Sequence, residues 1–176
     1  MSESSSPDPL VSLARTAIES YVRDHRVAEA VPLPDVDQTR AGVFVCLHLP
    51  DGSLRGCIGT FMPTQPTIGE EIVRNAISAA TQDPRFHPVT QAELSDLDIS
   101  VDVLEPPEPA NGIEDLDPKV YGIIVRTPDG RQALLLPDLE GVDTADAQLR
   151  ITCRKGGIDP DRDTYSIYRF RVTRHE

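Results

Sequence analysis

The segment Leu54-Arg55-Gly56-Cys57-Ile58-Gly59 has the residue types and spacing that most call for a chemical explanation. Glycines weaken a strand, and two in one strand, Gly56 and Gly59, mark a bulge or a place where a second backbone or a ligand comes close. On a regular strand Arg55 and Cys57 share a face, because side chains alternate. A guanidinium beside a thiol favours the thiolate, the form that attacks carbon, sulfur and metals. This reading makes Cys57 the reacting atom and Arg55 its activator, with Gly56 and Gly59 where a substrate lies close. The competing reading is packing, since a free cysteine is also a small, commonly buried hydrophobe.

A second cluster, Asp83, Arg85 and His87, falls in a short loop bracketed by Pro84 and Pro88. Loops carry binding groups more often than core elements do. Here Arg85 could hold an anionic group, while Asp83 and His87 could move a proton. The plainer alternative is that Asp83 caps Arg85 locally and His87 is solvated. Cys153 sits in the last turn of an expected helix, the wrong end to stabilise a thiolate, and position alone makes it structural. The three cysteines, Cys46, Cys57 and Cys153, are too scattered for a disulfide framework. With no Cys-x-x-Cys and no His-x-x-x-His, no metal site is expected. Neither a Gly-x-Ser-x-Gly elbow, a P-loop nor a dinucleotide fingerprint occurs, so no cofactor is expected.

The elements that must position these residues follow from periodicity and turn chemistry. Asp8-Pro9 opens a helix whose apolar stripe is Leu10, Leu13, Ala14, Ala17, Ile18 and Tyr21. Val31 to Asp35 leaves it as an extended linker. Strands at 43–49 and 54–61 flank the turn Pro50-Asp51-Gly52-Ser53. If that turn centres on Asp51-Gly52, Leu49 pairs with Leu54, His48 with Arg55 and Cys46 with Cys57. Opposed Cβ atoms then lie about 4.5–5.5 Å apart, slightly beyond the usual disulfide range. Thr67 and Glu70 have capping-box spacing at the head of a helix buried through Ile68, Ile72, Ala76, Ile77 and Ala80, and Thr90 with Glu93 repeats the device for a short turn. Leu97, Ile99, Val101 and Val103 alternate with polar residues, which predicts a strand with one wet face. Glu105 to Pro109 reads as a stiff spacer. Strands at 121–126 and 132–136 form a second hairpin around Thr127-Pro128-Asp129-Gly130. Asp143 or Thr144 opens a helix that stops at Gly156-Gly157, and 165–172 closes the chain as one strand. Hairpin connections predict an α+β fold, a mainly antiparallel sheet with packed helices.

Composition bounds the function. The chain has 176 residues, 29 acids against 17 bases and a formal charge of −12, which repels phosphate backbones and argues against a nucleic-acid partner. No apolar run approaches the roughly 20 residues needed to span a bilayer, so no membrane partner is expected. Residues 1–8 read as a disordered tail without the features of a secretory signal. A cytoplasmic protein in a reducing compartment is the expectation.

The succession 54–60, Glu70-Glu71-Ile72-Val73-Arg74-Asn75-Ala76, Asp83-Pro84-Arg85-Phe86, Pro106-Pro107, Tyr121-Gly122-Ile123, Leu135-Leu136-Pro137 and Cys153-Arg154-Lys155-Gly156-Gly157-Ile158 resembles the AMMECR domain over nearly the whole chain. The resemblance implies one compact α+β unit spanning 9–176, with a larger sheet-and-helix lobe and a smaller one. Arg55, Gly56, Cys57, Asp83, Arg85 and Cys153 occupy the pattern's characteristic positions, which brings Cys153 into the candidate substrate site. Cys46 lies outside the pattern, and residues 139–148 depart from it. Prokaryotic members resemble component A of a three-part system, which implies a Memo-like protein and a radical S-adenosylmethionine enzyme as partners, with a small molecule as a possible ligand. Three functional readings follow: an enzyme or enzyme component using Cys57 in nucleophilic or thiol-radical chemistry, a binding scaffold for those partners, or an acceptor modified at Cys57.

Overall fold

The computed structural model describes residues 7–30, 32–33 and 40–176. Most of the expected tail, and part of the linker expected at 31–35, lie outside them. The chain divides into two compact units, residues 1–103 with 174–176, and residues 104–173.

In the first unit, α1 (Pro9–Asp24) starts where Asp8 Oδ1 accepts the Leu10 and Val11 N–H groups at 2.8 and 3.3 Å. The same carboxylate meets His175 Nδ1 through Oδ2 at 2.8 Å, so Asp8 belongs to the folded structure, not to a tail. Helix α2 (Ile68–Thr81) opens with the expected capping box of Thr67 and Glu70. Both helices bury their apolar stripes against one face of a sheet ordered β2-β1-β3-β8, in which β1 is Val43–His48, β2 Leu54–Thr60, β3 Asp98–Leu104 and β8 Val172–His175. Strand β1 is central, and its Val43, Val45 and Leu47, all 0% exposed, stand opposite Val103, Val101 and Ile99 of β3. Each such side chain contributes about 1.5–3 kcal/mol by leaving water. Alternation sends Phe44, Cys46, Cys57, Ser100 and Asp102 to the other face.

That face corrects one expectation. Ser100 and Asp102 were expected to be wet, yet they are 8% and 1% exposed. Asp102 is buried because Arg174 of β8 forks onto it at 2.8 and 2.9 Å, and a paired carboxylate tolerates burial. A distant residue supplies that partner, so alternation along β3 gives no sign of it.

The second unit holds β4 (Glu108–Ala110), β5 (Gly122–Arg126), β6 (Gln132–Leu135) and β7 (Ser166–Phe170) in the order β4-β7-β5-β6. Helix α3 (Ala145–Lys155), capped by Thr144, packs Leu149 and Cys153 on Ile123, Val125 and Leu135. The second hairpin forms as expected. Two elements differ. The stiff spacer contains a strand, β4, which pairs with β7 at the sheet edge, where Pro109 is tolerated. The single closing strand is two strands, β7 and β8, which join different sheets. Among the described residues, two four-stranded sheets with antiparallel pairing and three α-helices make the fold α+β. No helix among the described residues is long and apolar enough to cross a membrane.

Candidate functional site

The hairpin that carries Cys57 is irregular. Gly52 turns it with φ 84° and donates its N–H to Leu49 O, while Leu49 N–H reaches Ser53 O. Cys46 then faces Cys57 as the spacing predicts, but His48 pairs with Leu54, because the register shifts between Leu47 and His48. The expected His48–Arg55 pair is therefore absent, and Arg55 is the extra, bulged residue. A bulge re-aims its side chain. The Arg55 guanidinium grips Glu93, Nε to Oε1 at 2.8 Å and Nη2 to Oε2 at 3.2 Å, with Nη1 on the His87 carbonyl at 3.0 Å. Arg55 holds the Glu93 carboxyl at about 2, helped by N–H donation from Thr90. The expected role of Arg55 as activator of Cys57 is corrected: its charge is spent on Glu93.

Strand β2 lies at the sheet edge, so half its peptide groups face away from β1. At Cys57 these groups are captured. Its N–H donates to Asp83 Oδ2 at 2.9 Å and its carbonyl accepts from Arg85 Nη2 at 3.3 Å. Cys46 and Cys57 therefore form a non-hydrogen-bonded pair, the kind with the closer Cα approach. Their Cα atoms are 4.1 Å apart and a disulfide joins them, the pairing that the expected spacing placed slightly beyond reach. Cys46 is 8% exposed, whereas Cys57 is half-buried.

Asp83 is 4% exposed at the end of α2. It accepts from Arg85 through the backbone N–H at 3.1 Å, Nε at 3.0 Å and Nη2 at 2.7 Å. The guanidinium bonds outweigh burial and, with the Cys57 N–H, hold the carboxyl far below the usual range. Asp83 does cap Arg85, as the local alternative had it, and also pins the Cys57 peptide, a long-range role that loop spacing cannot reveal. Phe86 lies between the two guanidiniums, 5.9 Å from Arg55 and 5.5 Å from Arg85. Arg55, Pro84, Arg85, Phe86 and His87 line an open depression of about 410 Å³. The His87 side chain is exposed. Two cations and two carboxylates balance inside this cluster, so charge alone does not draw an anion to it.

The glycines serve the protein's own packing. A Cβ on Gly56 would fall on the Ala79 carbonyl of α2, and one on Gly59 would enter the Phe44 ring. Of the alternatives the sequence left open, Gly56 meets a second backbone, that of α2, and the side of Gly59 where a Cβ would stand holds an aromatic ring. Cys153 is 0% exposed in the core of the second unit, where burial pushes its thiol up. It packs there with Leu149 and Ile158 and is not a surface group.

Sequence reasoning missed Glu71 and Asn75, which are 0% and 2% exposed. Glu71 accepts from Thr60 Oγ1 at 2.5 Å, Thr64 N–H at 2.7 Å, Thr64 Oγ1 at 2.9 Å and Gln65 N–H at 2.7 Å. Burial is the largest single influence on its carboxyl and pushes it up, yet these bonds together hold it low. Asn75 donates to Val43 O at 2.9 Å and Thr60 Oγ1 at 3.1 Å. Their spacing of four, flanking Ile72 on the apolar stripe, was the available signal. Both tie β2 and the loop after it to α2. Among the described residues no three His, Cys, Asp or Glu side chains stand together as a metal site.

The AMMECR1 family model matches residues 11–175. A Thermotoga maritima protein is 53% identical over 96% of this chain and 97% of its own length. A Methanothermobacter thermautotrophicus protein is 42% identical over 93% of this chain and 90% of its own. Among solved structures, the uncharacterized protein PH0010 from Pyrococcus horikoshii superposes with a TM-score of 0.84 at 34% identity, covering 94% of this chain and 88% of that one. A family match along nearly the whole length, with relatives this similar and the same fold, means that this chain belongs to the AMMECR1 family.

Proposed function

We propose that the Cys57 sulfur is the reacting atom of this protein, with the surface of Arg85, Phe86 and His87 receiving whatever presents itself to that sulfur. The observation that carries the reading is the treatment of Cys57 at the edge of its sheet. Asp83 and Arg85 grip both its peptide groups, so the residue is fixed in place while its side chain stays half-buried. Preorganisation of this kind serves a reacting group, which must be held within a fraction of an ångström. Because Arg55 is paired with Glu93 and Arg85 with Asp83, the reactivity comes from position and access. The proposed setting is the one the family resemblance implies, a component working with a Memo-like protein and a radical S-adenosylmethionine enzyme.

The test is peptide-resolved alkylation of the gently reduced, native protein with iodoacetamide over roughly pH 5 to 9. Cys57 is expected to label first and Cys153 last. Labelling of Cys57 only after denaturation would remove it as the reacting atom. A second reading, a binding scaffold without chemistry, is favoured by one observation: Gly56 and Gly59 are filled from within the protein. Under that reading Cys57→Ser keeps full capture of the two partner proteins and full activity of the assembled system.

A further inference from the structure

The proposed role of Cys57 leaves Cys46 without a part, although it lies directly opposite. We infer that Cys46 is the resolving cysteine of Cys57, and that the two form a thiol–disulfide exchange couple acting between an external dithiol and a disulfide substrate. The inference rests on the reading of Cys57 as the reacting atom and adds its chemistry.

Three features of the hairpin support it. First, the two sulfurs are bonded across a non-hydrogen-bonded pair whose Cα atoms are 4.1 Å apart. The outward peptide groups of Cys57 are held by Asp83 and Arg85, not by β1. Opening the sulfur bond therefore breaks no ladder hydrogen bond at that pair, and the reduced thiols stay side by side. Second, access is unequal. Cys46 lies on the central strand, 8% exposed, between Cys57 and the equally buried Ser100. Cys57 lies half-buried on the edge strand. Exchange needs this asymmetry, because which sulfur is attacked depends on access. Third, the anchoring is independent of the bond: Glu71, Asn75 and the Asp83–Arg85 pair tie β2 and its flanks to the rest of the unit.

The chemistry balances as follows. In the reduced state the Cys57 thiolate attacks one sulfur of a substrate disulfide, forming a mixed disulfide and expelling the first substrate thiolate. The Cys46 thiolate then attacks the Cys57 sulfur. The Cys46–Cys57 bond forms and the mixed bond breaks, and the second substrate thiolate leaves; both leaving thiolates are protonated by water. To reset the couple, one thiolate of an external dithiol attacks Cys57 and Cys46 departs as thiolate. The second thiolate of the dithiol then closes its own disulfide and frees Cys57. Two electrons pass from dithiol to substrate in each cycle, and the protein is unchanged.

The experiment uses the reduced full chain, glutathione disulfide as the probe, acid quenching and intact-mass detection. Wild type is expected to pass to the intrachain disulfide with loss of any glutathione adduct. Cys46→Ser should retain one glutathione, mapped to Cys57, and Cys57→Ser should retain none because Cys46 is buried. A parallel Cys46→Ala variant and a thermal melt of each protein separate chemistry from misfolding. An adduct equally long-lived on wild type and Cys46→Ser overturns the resolving role while leaving Cys57 as the reacting atom. Absence of an adduct on both folded Cys46 variants overturns both readings.

Discussion

Asp83→Asn tests the clamp on Cys57 most directly. The substitution keeps the shape of the side chain but removes the charge that Arg85 grips through Nε and Nη2 at 3.0 and 2.7 Å. It also places an amide NH₂ where one carboxylate oxygen accepts. Hydrogen bonds to a charged group are worth about 1.5–3 kcal/mol each in net stability. The Arg85 side chain is 55% exposed, so solvent screening discounts its share. A net loss of about 2–3 kcal/mol follows, equivalent to roughly 5–10 °C in Tm for a chain of this size. The pH dependence gives a sharper test. Asp83 has its folded value depressed below its ordinary 3.8. Such a group contributes its stabilisation fully above the unfolded value, and that contribution is lost as pH falls through the folded one. The difference between wild type and Asp83→Asn should therefore be constant from pH 7 to about 5 and shrink below about pH 4. Taking the difference isolates Asp83 from Asp8, Glu71 and Glu93, which titrate alike in both proteins. Urea or thermal melts at pH 7, 5, 4 and 3 measure it. A gap that is absent at pH 7, or undiminished at pH 3, refutes the claim that an ionised Asp83 holds this loop to the strand.

Further outcomes follow from the same geometry. Gly56→Ala and Gly59→Ala should both destabilise, because the first Cβ falls 2.3 Å from the Ala79 carbonyl oxygen and the second 2.2 Å from Phe44 Cγ, an atom on the ring's axis that turning the ring does not move. Overpacking costs about 1–3 kcal/mol, and a urea midpoint unchanged from wild type in either variant would contradict the packing described at that glycine. Glu71→Ala removes the acceptor of the part-buried Thr64 and Gln65 N–H groups, at about 0.5–1.5 kcal/mol for each hydrogen bond lost. Its denaturation midpoint should fall well below that of Glu71→Gln. Cys153, 0% exposed with its thiol pushed up by burial, should alkylate only at the rate of global unfolding of its unit. Native-state labelling as fast as that of reduced Cys57 would show that the packing described for α3 is wrong.

Much of this architecture is written locally. Asp8-Pro9, Thr67 with Glu70, and Thr144 start their helices through backbone N–H groups within three residues of the cap, so spacing alone finds them. The turn at Asp51-Gly52 sets Leu49 against Ser53 and His48 against Leu54, a count that alone would put Cys46 opposite Gly56, and the one-residue bulge at Arg55 moves Cys57 into that place. The family match reached by motif order belongs to the same class, because the order of motifs is a property of the chain.

What spacing could not decide was where each charged group would find its partner. Arg55 shares a face with Cys57 on an ideal strand, but a one-residue bulge turns it to Glu93, 38 residues away. Asp83 and Arg85 form a local pair by any reading of the loop, while their hold on Cys57 spans 26 and 28 residues. Asp102 looks solvated until Arg174 arrives from the last strand. The glycines left a second backbone or a ligand as alternatives until a helix carbonyl stood at Gly56 and a ring at Gly59. In each case the deciding term is the cost of leaving a buried polar group unpaired, or of leaving a space empty. Local sequence sets the elements and puts the two cysteines on the facing strands of one hairpin. Only the tertiary structure assigns Arg55 to Glu93 and gives Asp83 and Arg85 the peptide of Cys57 to hold.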